Sequence, residues 1–137
     1  MRLSILLLAL IFNTAAVASD LVLEKGWIRA APPMAKNLAG YGELRNNSLE
    51  TITLKSMSSP YFKKVEAHKT TFVNGMMKMA HIEPVVLKPG EQLIFKPSGM
   101  HFMLMKPNKA IVENLKVPLT VITHKGDQFV FEFIVRK

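Results

Sequence analysis

The stretch Gln128-Phe129-Val130-Phe131-Glu132-Phe133-Ile134-Val135 sets the period of the whole chain. Phe129, Phe131, Phe133 and Val135 fall on one side of an extended backbone, and Gln128 and Glu132 on the other. That is the pattern of a β-strand, whose successive side chains point to opposite faces. The alternation recurs upstream, where Ile52 and Leu54 are interleaved with Thr51, Thr53 and Lys55. Further strands are expected at Leu21–Arg29, Tyr41–Arg45, Phe62–Thr70, Met76–Glu83, Gln92–Lys96, His101–Lys106 and Leu119–Thr123. Turn-forming residues separate them: Pro32-Pro33, Asn46-Asn47-Ser48, Ser58-Ser59-Pro60, Asn74-Gly75, Lys88-Pro89-Gly90, Pro97-Ser98-Gly99 and Lys125-Gly126-Asp127. Asn74-Gly75 is a strong hairpin signal. Many short strands, frequent turns and no convincing amphipathic helix indicate an all-β sandwich or small barrel. With 137 residues and no repeat, low-complexity tract or linker, the chain makes a single domain. Asn46-Asn47-Ser48 fits a glycosylation sequon but reads better as a turn.

The N-terminal stretch stands apart from this pattern. Arg2 is followed by an apolar run from Leu3 to Phe12, and Ala16-Val17-Ala18 has the form that signal peptidases accept. Residues 1–18 are therefore read as a secretory signal peptide and residues 19–137 as the mature domain, Ser19 to Lys137. A membrane anchor is the competing reading. It needs about 20 apolar residues, and this run meets Asn13 and Thr14 too early. An exported, soluble product without stable membrane insertion is expected.

The chain has no cysteine. Export to an oxidising compartment permits disulfides, but this domain must be held by its core alone, and 49% of its residues are apolar. Thiolate nucleophiles, Cys-based zinc sites, iron–sulfur clusters and blue-copper centres are all excluded. The net charge is +8; without Arg2 it is 17 basic minus 10 acidic residues, or +7. The lysines are scattered, so they read as a solvated surface rather than a nucleic-acid patch.

The chemistry lies in methionine and histidine. Of nine methionines, Met76, Met77 and Met79 form one group, and Met100, Met103 and Met105 another. His81 and His101 sit beside these groups, and His68 lies just upstream. Thioether sulfur is soft and neutral, and imidazole is borderline; two of each suit Cu(I). Magnesium and calcium want oxygen ligands, and zinc rarely takes methionine. Strand parity places His101 and Met103 on one face, with Phe102 and Leu104 on the other. Met77, Met79 and His81 share a face, as do Glu66 and His68. Parity thus permits His68, Met79, His101 and Met103 to meet across three strands.

The spacing of these four residues is H-x10-M-x21-H-x-M, and in this it resembles the periplasmic copper chaperones called PCu(A)C. The surroundings are similar too: Glu66-Ala67-His68, the hairpin Asn74-Gly75-Met76-Met77-Lys78-Met79, Lys88-Pro89-Gly90, and Pro97-Ser98-Gly99-Met100-His101-Phe102-Met103-Leu104. Trp27-Ile28-Arg29-Ala30-Ala31-Pro32-Pro33 and Ser58-Ser59-Pro60 extend the likeness over nearly all of the mature chain. The resemblance implies a cupredoxin-like Greek-key β-barrel with one Cu(I) per chain near one end, held by His68, Met79, His101 and Met103. It implies delivery of copper to an acceptor, either the binuclear copper centre in cytochrome c oxidase subunit II or a Sco-type thiol protein; the carrier itself is expected to be a monomer. Two departures stand out. His81 occupies a position where arginine is common in the family, and Met100 one where glycine is common. Some relatives carry a His- and Met-rich tail that can hold Cu(II); with the sequence ending at Ile134-Val135-Arg136-Lys137, a second, tail-based copper site is not expected.

Other residues are read more plainly. Met77 and Met105 are expected to pack around the site, and Met76 and Met100 to form a collar or core. His81 is a surface histidine or an auxiliary Cu(II) ligand, and His124 a solvated turn residue. Glu66 is placed either to orient His68 or to pair with Lys64 or Lys69. The expected activity is metal carriage and not catalysis. Copper storage or tolerance, a copper-dependent redox enzyme, and a metal-free β-sandwich interaction module are the alternatives.

Overall fold

The computed structural model describes residues 18–137, so the expected signal peptide, but for Ala18, lies outside the described residues. Among the described residues there are ten strands and no helix. They are β1 (Leu21–Arg29), β2 (Asn37–Asn46), β3 (Ile52–Ser58), β4 (Phe62–Val73), β5 (Met76–His81), β6 (Val85–Leu87), β7 (Gln92–Phe95), β8 (Met100–Pro107), β9 (Lys116–Thr123) and β10 (Gln128–Arg136). The alternation read in the C-terminal stretch is realised: Phe133 and Val135 are fully buried, and Gln128, Glu132 and Arg136 face solvent.

All ten strands join one sheet in the order β5-β4-β8-β7-β2-β1-β10-β9-β3-β6, with β8 also paired to β2. β1 runs parallel to β10 and antiparallel to β2, so the first and last strands lie side by side in mid-sheet. The sheet curls: β3, near one end of the order, packs against β4 near the other. The enclosed core draws Leu21, Ile28, Leu44, Leu87, Phe102, Leu104, Val117, Leu119 and Phe133 into one cluster. Phe102 stacks on Phe95 at 4.1 Å between centroids and meets Phe133 edge-on at 5.4 Å.

Two irregularities shape the sheet. The register of β1 on β2 shifts between Glu24 and Trp27, where Lys25 takes φ 53°. This bulge sets the Trp27 ring 4.8 Å from that of Tyr41. At the tip of the β4–β5 hairpin, Asn74 and Gly75 take φ 51° and 75°. Two consecutive left-handed residues make the tight turn whose twist matches its flanking strands. Asn46 ends β2 fully buried. Its Nδ2 donates to the carbonyls of Glu50, Leu87 and Lys88, and its Oδ1 accepts from the Ser48 N–H and hydroxyl. The sequon-like triplet is thus a turn whose first side chain ties three segments together.

Candidate metal centre

The turn before β8 sets the parity of its strand. Ser98 takes φ 66°, and the Gly99 N–H donates to the Lys96 carbonyl at 3.0 Å. From there Phe102 and Leu104 enter the core, and His101 and Met103 take the other face. β4 does the same: Val65 and Ala67 are core, while Glu66, His68 and Thr70 lie opposite. Because β4 runs between β5 and β8, these faces join into rows. His81, His68 and His101 form one row; Glu66 stands opposite Met103; Met79 stands opposite Thr70.

The two central histidines are neighbours, with ring centroids 5.9 Å apart. His101 is 4% exposed, and the His68 side chain 15%. Each ring has one nitrogen anchored and the other left alone. His101 Nδ1–H donates to the Gly99 carbonyl at 3.2 Å. His68 Nε2–H donates to Glu66 Oε2 at 2.8 Å. The remaining nitrogens, His68 Nδ1 and His101 Nε2, are buried without a hydrogen-bond partner. A carbonyl and a carboxylate can only accept, so they hold the ring protons on Nδ1 of His101 and Nε2 of His68, and the two orphan nitrogens carry free lone pairs. Burying such atoms unpaired is costly, and an anchored imidazole with its second nitrogen free is the usual arrangement of a metal ligand.

Glu66 fulfils both roles read for it. Its second carboxylate oxygen pairs with Lys64. Lys64 first, and the His68 hydrogen bond after it, hold the carboxyl down at about 2. Near neutral pH Glu66 is therefore ionised, as an acceptor for the His68 ring requires.

The methionines flank this pair unequally. Rows on one face lie about 7 Å apart along the strands, and neighbouring strands about 5 Å apart. Met103 stands one row from His101 on the same strand and is half-buried. Met79 stands one row away in the opposite direction, on the edge strand β5, and is 54% exposed. The structure thus brings His68 and His101 together with Met103 adjacent, and leaves Met79 outside on the hairpin. Met79 reaches the pair only by turning inward over Thr70, a move its flexible thioether chain allows. Among the described residues, no three His, Cys, Asp or Glu side chains converge on one metal position as the side chains stand; in that arrangement a third ligand beside His68 and His101 comes from sulfur. Histidine nitrogens with thioether sulfurs form the donor set that fits monovalent copper.

The remaining expectations divide. Met100 packs against the core, as read. Met76 and Met77 are both 62% exposed, so Met76 is neither collar nor core; an edge hairpin has nothing above it to pack on. Met105 is half-buried opposite Lys64 and Asn37. His124 is exposed at the turn after β9. The Gly99 carbonyl, which accepts from both the Thr70 N–H and the His101 ring, was not singled out from sequence; the turn signal was visible, but its contact with β4 was not.

No curated protein sequence matches the chain. Solved structures do. The copper-bound PCuAC domain from PmoF2 superposes with a TM-score of 0.70 at 18% identity, covering 88% of this chain and 95% of that domain. The solution structure of CuI-DR1885 from Deinococcus radiodurans gives 0.70 at 23% identity, covering 91% and 83%. The apo PCuAC domain from PmoF1 gives 0.69 at 20%, covering 86% and 94%. The fold is therefore cupredoxin-like, as the resemblance implied. A family profile described as LpqE-like, putative lipoprotein, matches residues 21–135, nearly the whole described domain. The chain accordingly belongs to the LpqE-like family, the family of the PCuAC domains, which the spacing of its histidines and methionines had pointed to.

Proposed function

We propose that the protein is an exported carrier of copper(I), which holds one ion between His68, His101, Met103 and Met79 and passes it to an acceptor. The observation that carries this reading is the pair of buried, unpartnered nitrogens, His68 Nδ1 and His101 Nε2, on rings whose other nitrogens are anchored. Two structures of the same fold are described as copper-bound and as CuI. The LpqE-like family is described as one of putative lipoproteins, which agrees with export, and no helix among the described residues is long and apolar enough to cross a membrane.

The donor set suits carriage. Four neutral ligands leave the site with the single charge of Cu(I) and give little to hold a doubly charged ion. Thioethers bind weakly enough for an acceptor's thiolates to displace them. Met79, the exposed ligand on the edge strand, is the one an acceptor reaches first; it leaves first, and the buried His101 last. The acceptor is a copper-receiving protein such as cytochrome c oxidase subunit II or a Sco-type thiol protein.

The test loads the mature domain, Ser19 to Lys137, with Cu(I) under anaerobic conditions and measures stoichiometry and X-ray absorption. One tightly held copper with mixed sulfur and nitrogen scattering, lost in His68→Ala and Met103→Ala, is the expected result. Absence of tight binding, or binding untouched by both substitutions, would leave a metal-free interaction module. Tight binding with no transfer to a thiol acceptor would favour copper storage.

A further inference from the structure

The register places a third imidazole beside the two anchored ones. His81 on β5 is the direct cross-strand partner of His68, which in turn is the partner of His101 on β8. The His81 and His68 rings stack with centroids 5.4 Å apart and planes 26° from parallel. Directly paired residues on neighbouring strands project from the same face with their Cβ atoms about 5 Å apart. Three imidazoles therefore form a continuous row across β5, β4 and β8, with His68 in the middle.

His81 differs from its neighbours in being free to move. Its side chain is 40% exposed, and among the described residues its ion-pair contact is a long one, 3.8 Å to the carboxylate of Glu83. The ring borders an open cleft of about 370 Å³, which Glu66 also lines. As the side chains stand, the three imidazoles do not converge on one position. Rotation of an exposed side chain between staggered wells is inexpensive.

We propose that His81 is a third imidazole ligand, which with His68 and His101 lets this site take Cu(II) through nitrogen alone, without either methionine. Imidazole suits copper in both oxidation states, and Cu(II) favours nitrogen and oxygen donors in tetragonal arrangements over thioether sulfur. The proposal shares His68 and His101 with the carrier reading and adds a second use of them: one site with two overlapping ligand sets. The sulfur set serves Cu(I) and the imidazole set serves Cu(II). The row of histidines separates Met79 on one side from Met103 on the other, so exchanging the sets swaps Met79 for His81 on β5 while Met103 on β8 disengages.

The experiment titrates the mature domain with Cu(II) and, separately and anaerobically, with Cu(I), each against a competing chelator, and counts coordinated imidazoles by pulsed electron paramagnetic resonance of the Cu(II) form. The expected result is three imidazoles in the parent domain and two in His81→Ala. Cu(II) affinity falls at least about tenfold, while Cu(I) affinity is unchanged. His81→Arg, which keeps a long polar side chain on the exposed edge, gives the same loss if the imidazole is what matters. Two imidazoles in the parent, or a Cu(II) spectrum and affinity indifferent to both substitutions, would overturn the proposal. Failure of the parent to hold Cu(I) would instead strike the carrier reading, and the Cu(II) count would still be decisive for His81.

Discussion

At the scale of single residues, Glu66 and Asn46 decide more than their positions suggest. Glu66 fixes which nitrogen of His68 is free. Glu66→Gln keeps the size but gives a weaker acceptor, so Cu(I) affinity is expected to fall about tenfold to a hundredfold with the fold intact; chelator competition measures it. The same carboxylate couples stability to pH. Its pKa in the folded domain, about 2, lies below its ordinary value of 4.5. Its contribution is therefore complete above pH 4.5 and lost as pH falls from there towards 2. Acid unfolding followed by circular dichroism should show a shallower dependence in Glu66→Gln over that window, and equal slopes would mean that the pairing with Lys64 and His68 adds nothing to stability. Asn46 is fully buried and bonds three carbonyls. Asn46→Ala leaves those carbonyls unpaired, with an expected loss of about 2 kcal/mol in urea unfolding. An asparagine carrying glycan could not make these contacts.

At the scale of elements, the β4–β5 hairpin is the part whose order governs the site's outer half. Gly75 has open space where a Cβ would go but sits at φ 75°, so Gly75→Ala costs backbone strain alone, about 1 kcal/mol. Because β5 is an edge strand, the loss should stay local. Amide exchange is expected to quicken across Met76–His81 and to remain unchanged in β8. Uniform acceleration in both strands would show instead that the hairpin is cooperative with the barrel. The same hairpin marks where sequence reading reaches its limit. Alternation and the Asn-Gly turn located both strands, and parity put Met79 on the correct face. Nothing in a period of two distinguishes an edge strand from a covered one, so the exposure of Met76, Met77 and Met79 could not be read. β6 was missed because Val85–Leu87 is three residues long, too short to show alternation between Pro84 and Pro89. The first half of β2 was missed because Asn37, Ala39 and Gly40 are weak strand formers held there by pairing with β8. Glu66 was legible since two residues along a strand is always the same face. Which of its possible partners it takes depends on rotamers, and the structure gives it two, Lys64 and His68, at once.

At the scale of the whole molecule, charge and linkage make the testable statements. Residues 19–137 carry a net charge of +7, which on the proposed carrier function should steer them towards an acidic acceptor. Transfer to such an acceptor is expected to slow between low and physiological ionic strength, whereas Cu(I) affinity in a chelator competition stays level. A salt-independent transfer rate would assign the lysines to solubility alone. Metal that binds only the folded state adds stability by mass action, about 2.7 kcal/mol at free Cu(I) a hundredfold above the dissociation constant. Thermal unfolding with and without buffered Cu(I) measures that increment, and it should vanish in His68→Ala. The placement of the candidate ligands on β4, β5 and β8 has a further consequence for a chain without cysteine. Copper gripped between His68 and Met103 would tie β4 to β8 in the folded domain, and only there, since the ion leaves when the chain unfolds. Unlike a disulfide, this staple departs with the cargo. On the proposed carrier function, each delivery would return the domain to its unstapled form, and the difference between the two forms would give an acceptor, or a protease, a way to tell a loaded carrier from a spent one.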